Sequence, residues 1–148
     1  MKAEIRPMLS SDTAGVEIIE KECFSSPWKY EDLLYHSENP DSHFLVAVID
    51  DSTAGYIGVI ETACEAYITN IAVLPQFRRQ GTAKNLLLSA IDGARERNCE
   101  FITLEVRESN FAAISLYEST GFAKAGTRKN FYSDPPEDAV LYTLFFKE

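Results

Sequence analysis

Three sets of residues carry chemistry. Arg78-Arg79-Gln80-Gly81-Thr82-Ala83-Lys84 follows the apolar run Ile71-Ala72-Val73-Leu74 and Pro75, and leads into Asn85-Leu86-Leu87-Leu88-Ser89-Ala90. A strand, a basic glycine-containing turn and a helix start, in that order, suit an anion. The first helical turn has unpartnered N–H groups at the positive end of its dipole, and glycine lets the backbone approach a phosphate. The same residues also describe a surface loop with two solvated arginines. Glu105 interrupts the apolar stretch Phe101-Ile102-Thr103-Leu104-Glu105-Val106, and a carboxylate in apolar surroundings makes a good base. Yet Thr103, Glu105 and Arg107 alternate with Ile102, Leu104 and Val106, which equally describes the solvent side of a half-exposed strand. Tyr117 shares a helical face with Ala113, Leu116 and Thr120. Its phenol can donate a proton to a leaving group, and the same spacing fits a packing tyrosine.

The elements that must position these groups follow from periodicity. Glu4-Ile5-Arg6-Pro7-Met8 reads as a short strand, at a sheet edge because of Pro7. Ser10, Ser11 and Asp12 offer N-caps for a helix in which Val16, Ile19 and Cys23 recur. Ser25-Ser26-Pro27-Trp28 breaks it, and Pro27 suits the first turn of a second helix through Leu33-Leu34-Tyr35. Trp28 reads as a core or hinge aromatic. Two apolar runs, Phe44 to Ile49 and Ala54 to Ile60, flank Asp50-Asp51-Ser52-Thr53 and predict a hairpin. After a turn around Ala63 to Ala66, Tyr67 to Val73 is the third strand. Ala83, Leu87, Ala90, Ile91 and Ala94 make the buried stripe of a helix, with Asn85, Ser89, Asp92 and Glu96 facing away.

Asn98 ends that helix, and the strand from Phe101 to Val106 returns parallel to the earlier one by a crossover. Ser109 or Asn110 caps the next helix and Gly121 stops it. Phe122 to Arg128 and Val140 to Phe146 are closing strands around a loop from Phe131 to Asp138.

Composition bounds the function. A chain of 148 residues, 45% hydrophobic and 25% charged, is the size and make-up of one globular domain, residues 1–148. No apolar run approaches a bilayer span and no leader-like segment opens the chain, so a cytoplasmic protein without a membrane partner is expected. Cys23, Cys64 and Cys99 are odd in number and scattered, which predicts reduced thiols and no metal site. His36 and His43 lack triad partners. With 14 basic and 23 acidic side chains the net charge is −9. That disfavours nucleic acid and suits either a cationic substrate or plain solubility. No GxxxxGK[ST] or GxGxxG is present.

Arg78-Arg79-Gln80-Gly81-Thr82-Ala83 fits the Arg/Gln-x-x-Gly-x-Gly/Ala signature of the GCN5-related N-acetyltransferases, the GNAT family. Leu104-Glu105-Val106-Arg107-Glu108-Ser109-Asn110, followed by Ala112-Ala113-Ile114-Ser115-Leu116-Tyr117-Glu118-Ser119-Thr120-Gly121-Phe122, is similar to its ribosomal-protein-alanine branch, the RimI-like enzymes. The two blocks sit at that branch's usual separation, and the resemblance covers nearly the whole chain. It implies the α/β (α+β) acyl-CoA N-acyltransferase fold: a mixed, mostly antiparallel sheet of about seven strands with a central parallel pair, and about four helices. It implies acetyl-CoA as cosubstrate and no metal, with the pyrophosphate on Arg78, Arg79, Gln80, Gly81, Thr82, Ala83 and Lys84. The pantetheine arm would lie along Ile71, Ala72 and Val73, whose N–H groups also polarise the thioester carbonyl, and against Asn110.

By resemblance Glu105 is the base for the acceptor amine and Tyr117 the acid for the leaving thiolate. Trp28 and Tyr132 would line the acceptor site, and attack is direct, within a ternary complex. The implied acceptor is a protein N-terminal α-amine, that of the alanine of ribosomal protein S18. A lysine or small-molecule amine is the alternative, and an acyl-CoA-binding module without catalysis is the alternative of another class. Thr82 stands where an aliphatic residue is usual, Ala83 where glycine is commoner, and Phe131 where tyrosine is frequent.

Overall fold

The computed structural model describes residues 2–146. Its strands are β1 (Glu4–Pro7), β2 (Leu45–Ile49), β3 (Ser52–Thr62), β4 (Glu65–Val73), β5 (Phe101–Arg107), β6 (Ala123–Ser133) and β7 (Pro136–Phe145). The helices are α1 (Thr13–Cys23), α2 (Tyr30–Glu38), α3 (Thr82–Glu96) and α4 (Phe111–Ser119), with 3-10 turns at Ser10–Asp12 and Pro75–Phe77. This is the element order the sequence predicts. The strands form one seven-stranded sheet in the order β1-β2-β3-β4-β5-β7-β6. Every neighbouring pair is antiparallel except β4 and β5, which the α3 crossover joins in parallel.

Strand alternation sends successive residues to opposite faces, and the two faces carry separate cores. Ala47, Ile57, Ile68, Ile102, Leu104 and Val106 pack against Leu86, Leu87, Ala90, Ile91 and Ala94 of α3, with Tyr117 of α4 in the same cluster. Their neighbours Val46, Tyr56 and Ala72 pack against Val16 and Ile19 of α1 and Leu33 of α2. Thr103, Glu105 and Arg107 therefore point to the α1–α2 side of the sheet.

Three local expectations are corrected. Pro27 precedes α2, which starts at Tyr30 because Lys29, its N-cap, is still extended; the backbone N–H of Trp28 is accepted by the Glu20 side chain. The turn around Ala63 to Ala66 contracts to Ala63 and Cys64, both with positive φ, as a two-residue hairpin turn requires. Ala66 is already strand and fully buried. The loop from Phe131 to Asp138 is mostly strand, since Tyr132 pairs with Glu137 and Ser133 with Pro136 around Asp134–Pro135.

The feature that makes a site is a split in the sheet. The β4–β5 ladder holds from Glu65↔Phe101 to Tyr67↔Thr103 and stops there, whereas β4 stays paired to β3 as far as Val73↔Gly55. Gly58 faces Asn70 but Val59 faces Ile68, so Thr69 is an extra residue in β4. Such a bulge bends and twists the strand that carries it. Beyond it, the β5-facing edge of β4 has no strand on it.

Candidate active site

One flank of the split is backbone. After Val73 the chain turns through Pro75–Phe77, passes Arg79 at φ 64 and Gly81 at φ 78, and enters α3. The first bond of that helix is Asn85 N–H to the Gly81 carbonyl at 3.0 Å. The N–H groups of Thr82, Ala83 and Lys84 are thus left over at its positive end, and no side chain caps them. Gly81 is favoured because its φ is left-handed, although a Cβ there would meet no atom within 4 Å.

A cleft of about 300 Å³ opens here, lined by Val73, Phe77, Arg78, Arg79, Gly81, Thr82, Ala83, Lys84 and Leu116. Gln80 is exposed beside it. Arg78, Arg79 and Lys84 are exposed cations, and Arg78 also bonds inward: its Nε donates to the Val73 carbonyl at 2.9 Å and its Nη2 approaches Cys23 Sγ at 3.6 Å. Arg78 therefore ties the turn to the end of β4 and to α1. Thr82 is buried. Ile71, Ala72 and Val73 form the free edge beyond the split, held from behind by Ile57, Tyr56 and Gly55 of β3.

The other flank is made of side chains. The Glu105 side chain is only 7% exposed, so it is not a solvated strand residue. Its Oε2 takes Arg128 Nε at 2.8 Å and its Oε1 accepts the Tyr67 phenol. A carboxylate has about four acceptor positions, so two remain for a third donor. Burial first, and the bond to Glu105 second, push the Tyr67 phenol above its ordinary range.

Arg107 lies 4.3 Å above the Tyr132 ring and donates to the Pro135 carbonyl at 2.8 Å, the Asp134 carbonyl at 3.0 Å and Glu137 at 3.2 Å. Glu137 also accepts Ser109 N–H at 2.8 Å, and these bonds lower its pKa. The β6–β7 turn is thereby clamped to the end of β5. Asn110 Oδ1 caps α4 by accepting Ala113 N–H at 3.2 Å.

Tyr117 is 4% exposed, with its ring 5.7 Å from Phe122, and burial raises its phenol. Among the described residues no hydrogen bond joins it to Glu105, but Tyr132 lies within electrostatic reach of both. Trp28 packs its ring 5.3 Å from His36 and 6.1 Å from Phe44, between α1 and α2.

The acetyltransferase (GNAT) family model matches residues 14–122, from α1 to just past the end of α4. This chain belongs to the GNAT family. A Bacillus subtilis (strain 168) relative is 40% identical over 149 residues, covering 99% of this chain and 98% of its own. The ribosomal protein bS18-alanine N-acetyltransferase of Escherichia coli (strain K12) is 32% identical over 143 residues, 95% of each chain. The crystal structure of the ribosomal-protein-S18-alanine N-acetyltransferase from Escherichia coli superposes with a TM-score of 0.91 at 31% identity, covering 99% of this chain and 95% of that one. Acetyl-CoA is the acyl donor of GNAT chemistry, and a free strand edge ending in an uncapped helix N-terminus fits its amide-bearing arm and its phosphates. Among the described residues no group of His, Cys, Asp and Glu is placed to hold a metal, and no helix is long and apolar enough to cross a membrane.

Sequence reasoning missed Tyr67 and Arg128 as partners of Glu105. The β4–β5 register sets Tyr67 beside Thr103, on the face that Glu105 shares, and no sequence signal fixes that register.

Proposed function

We propose that this GNAT chain, as one domain over residues 1–148, acetylates the α-amine of a protein N-terminal alanine, that of ribosomal protein bS18, in the cytoplasm. The observation that carries the reading is a shielded carboxylate, Glu105, on β5 facing a β4 edge that has lost its strand partner. Support for the acceptor comes from the names of the Escherichia coli relatives.

Bound acetyl-CoA supplies an acetyl thioester, whose carbonyl carbon forms a C–N bond to the amine as its C–S bond breaks. The N–H groups of Gly81, Thr82, Ala83 and Lys84, with Arg79 and Gln80 beside them, hold the phosphates, and Arg78 fixes the turn. The edge of Ile71, Ala72 and Val73 takes the arm's amides as a neighbouring strand would, assisted by Asn110. A backbone N–H of that edge stabilises the negative oxygen that develops on attack.

An α-amine has a pKa near 8 and is largely protonated at neutral pH. Glu105 removes that proton, worth on the order of 10²–10⁴ in rate. Tyr117 gives its phenol proton to the departing sulfur. A phenol carries its proton at neutral pH, and burial raises the Tyr117 pKa further. Trp28 and Tyr132 border the incoming peptide. Cys99 is buried in the α3 core, away from the turn, and direct attack needs no acyl-enzyme.

The test is acetyl-CoA turnover on peptides beginning with Ala, Ser, Met or Gly, beside N-terminally blocked lysine peptides and polyamines, with mass spectrometry locating the acetyl group. Acetylation of the α-amine of the Ala-starting peptide is expected. Modification of side-chain or small amines alone would overturn the acceptor, and no turnover on any amine would favour an acyl-CoA-binding module.

A further inference from the structure

Glu20 is fully buried in α1, and among the described residues no cation pairs with it. Instead it collects three donors from three other segments. Its Oε1 accepts the backbone N–H of Trp28 at 2.8 Å, and its Oε2 accepts the Tyr56 phenol of β3 and Asn70 Nδ2 of β4 at 3.0 Å. A lone buried carboxylate is costly, and removing any of its donors leaves it undersatisfied. Its ligands are also informative. The Trp28 N–H can only donate and Asn70 turns its NH₂ inward, so all three partners donate to the carboxylate. A glutamine would need the Asn70 amide to turn over and the Tyr56 hydroxyl to accept.

The ends of this network are functional ground. Asn70 adjoins the bulge at Thr69 and directly precedes the free edge Ile71–Val73. Its Oδ1, like Thr69 Oγ1, has no partner among the described residues, so the amide is kept there for the bond its nitrogen makes. Trp28 lies in the connection between α1 and α2, on the same sheet face as Glu105.

We propose that Glu20 is a positioning residue that locks the α1–α2 segment to the β4 bulge and so sets the acceptor side of the site relative to the donor edge. The proposal rests on the acetyltransferase reading. Glu20 touches neither substrate; it acts through Trp28 and Asn70.

The test compares wild type with Glu20→Gln at a temperature where both are folded by circular dichroism. Expected is about a tenfold rise in KM for the Ala-starting peptide, the size of one lost buried hydrogen bond, with the KM for acetyl-CoA within about twofold. Trp28 is the single tryptophan, so its emission reports that connection and should shift. The double variant Glu20→Gln, Asn70→Asp reverses donor and acceptor across that one bond, and should bring the peptide KM back toward wild type. If Glu20→Gln does not fold, Tyr56→Phe removes a single donor and should raise the peptide KM in the same direction by a smaller factor.

An unchanged peptide KM in the folded variant overturns the proposal, as does a parallel rise in both KM values that tracks lost stability. Absence of wild-type acetylation on any peptide would break the functional reading instead. In that case an unshifted Trp28 emission in Glu20→Gln overturns the lock on its own.

Discussion

The two flanks of the split sheet solve opposite problems with opposite materials. The flank at the start of α3 is contiguous chain, and what it offers are uncapped backbone N–H groups whose aim is set by local torsions at Arg79 and Gly81. The flank around Glu105 has no local logic: its carboxylate is satisfied by Tyr67 of β4 and Arg128 of β6. The first suits a donor whose phosphates look alike in every reaction. The second suits acceptor selection, because a constellation of side chains from several strands can be retuned one residue at a time.

This contrast makes substitutions separable by which substrate they affect. The largest effect belongs to Glu105→Gln, which leaves the shape but removes the proposed base. Turnover should fall by about 10²–10⁴, while acetyl-CoA affinity measured by calorimetry stays at the wild-type value. A matched loss of acetyl-CoA affinity would erase the distinction between flanks.

Gly81→Ala probes the other side. The new Cβ meets no atom within 4 Å, so its cost is the left-handed backbone alone, about 1–2 kcal/mol. The KM for acetyl-CoA should rise about tenfold, with kcat at saturating donor and the peptide KM little changed.

The smallest kinetic effect is expected away from both flanks. Asp12 lies against Arg6 at 2.7 Å and accepts Leu9 N–H at 2.8 Å, and the bond from Arg6 is the main reason its carboxyl is held below its ordinary value. A lowered folded value stabilises the protein above the unfolded carboxyl pKa of about 4 and loses that stabilisation as pH falls through the folded value. Wild type should therefore lose more Tm than Asp12→Asn on acidification from about pH 6 to about pH 2. The pair is worth about 1 kcal/mol at most, since the Arg6 side chain is 33% exposed. Both KM values should be unmoved; a change in either would mean that β1 and the start of α1 couple to the site.

Legibility followed the same contrast. The turn from Arg78 to Lys84 could be read because the seven residues that form it are adjacent. The face of Glu105 could be read too, since it alternates with Leu104 and Val106, but its environment could not: whether that face meets solvent depends on β4 and β6. Strand β6 itself was only half visible. Most of its residues are exposed, so no apolar alternation marks it beyond Arg128, and the Ser133-Asp134-Pro135-Pro136 stretch imitates a loop. Arg78 reads as a phosphate cation in the sequence and does line the cleft; only the folded turn shows that its Nε also donates to the Val73 carbonyl.

By itself the sequence determined what each segment is and which side of it is apolar, because periods of two and 3.6 and the torsions of glycine and proline are local properties. The tertiary structure alone decided where the β4–β5 ladder ends, what surrounds Glu105, and that Glu20 joins α1 to the β4 bulge. Those outcomes depend on contacts between residues tens of positions apart, whose partners are chosen by the packing of the whole sheet rather than by any one segment.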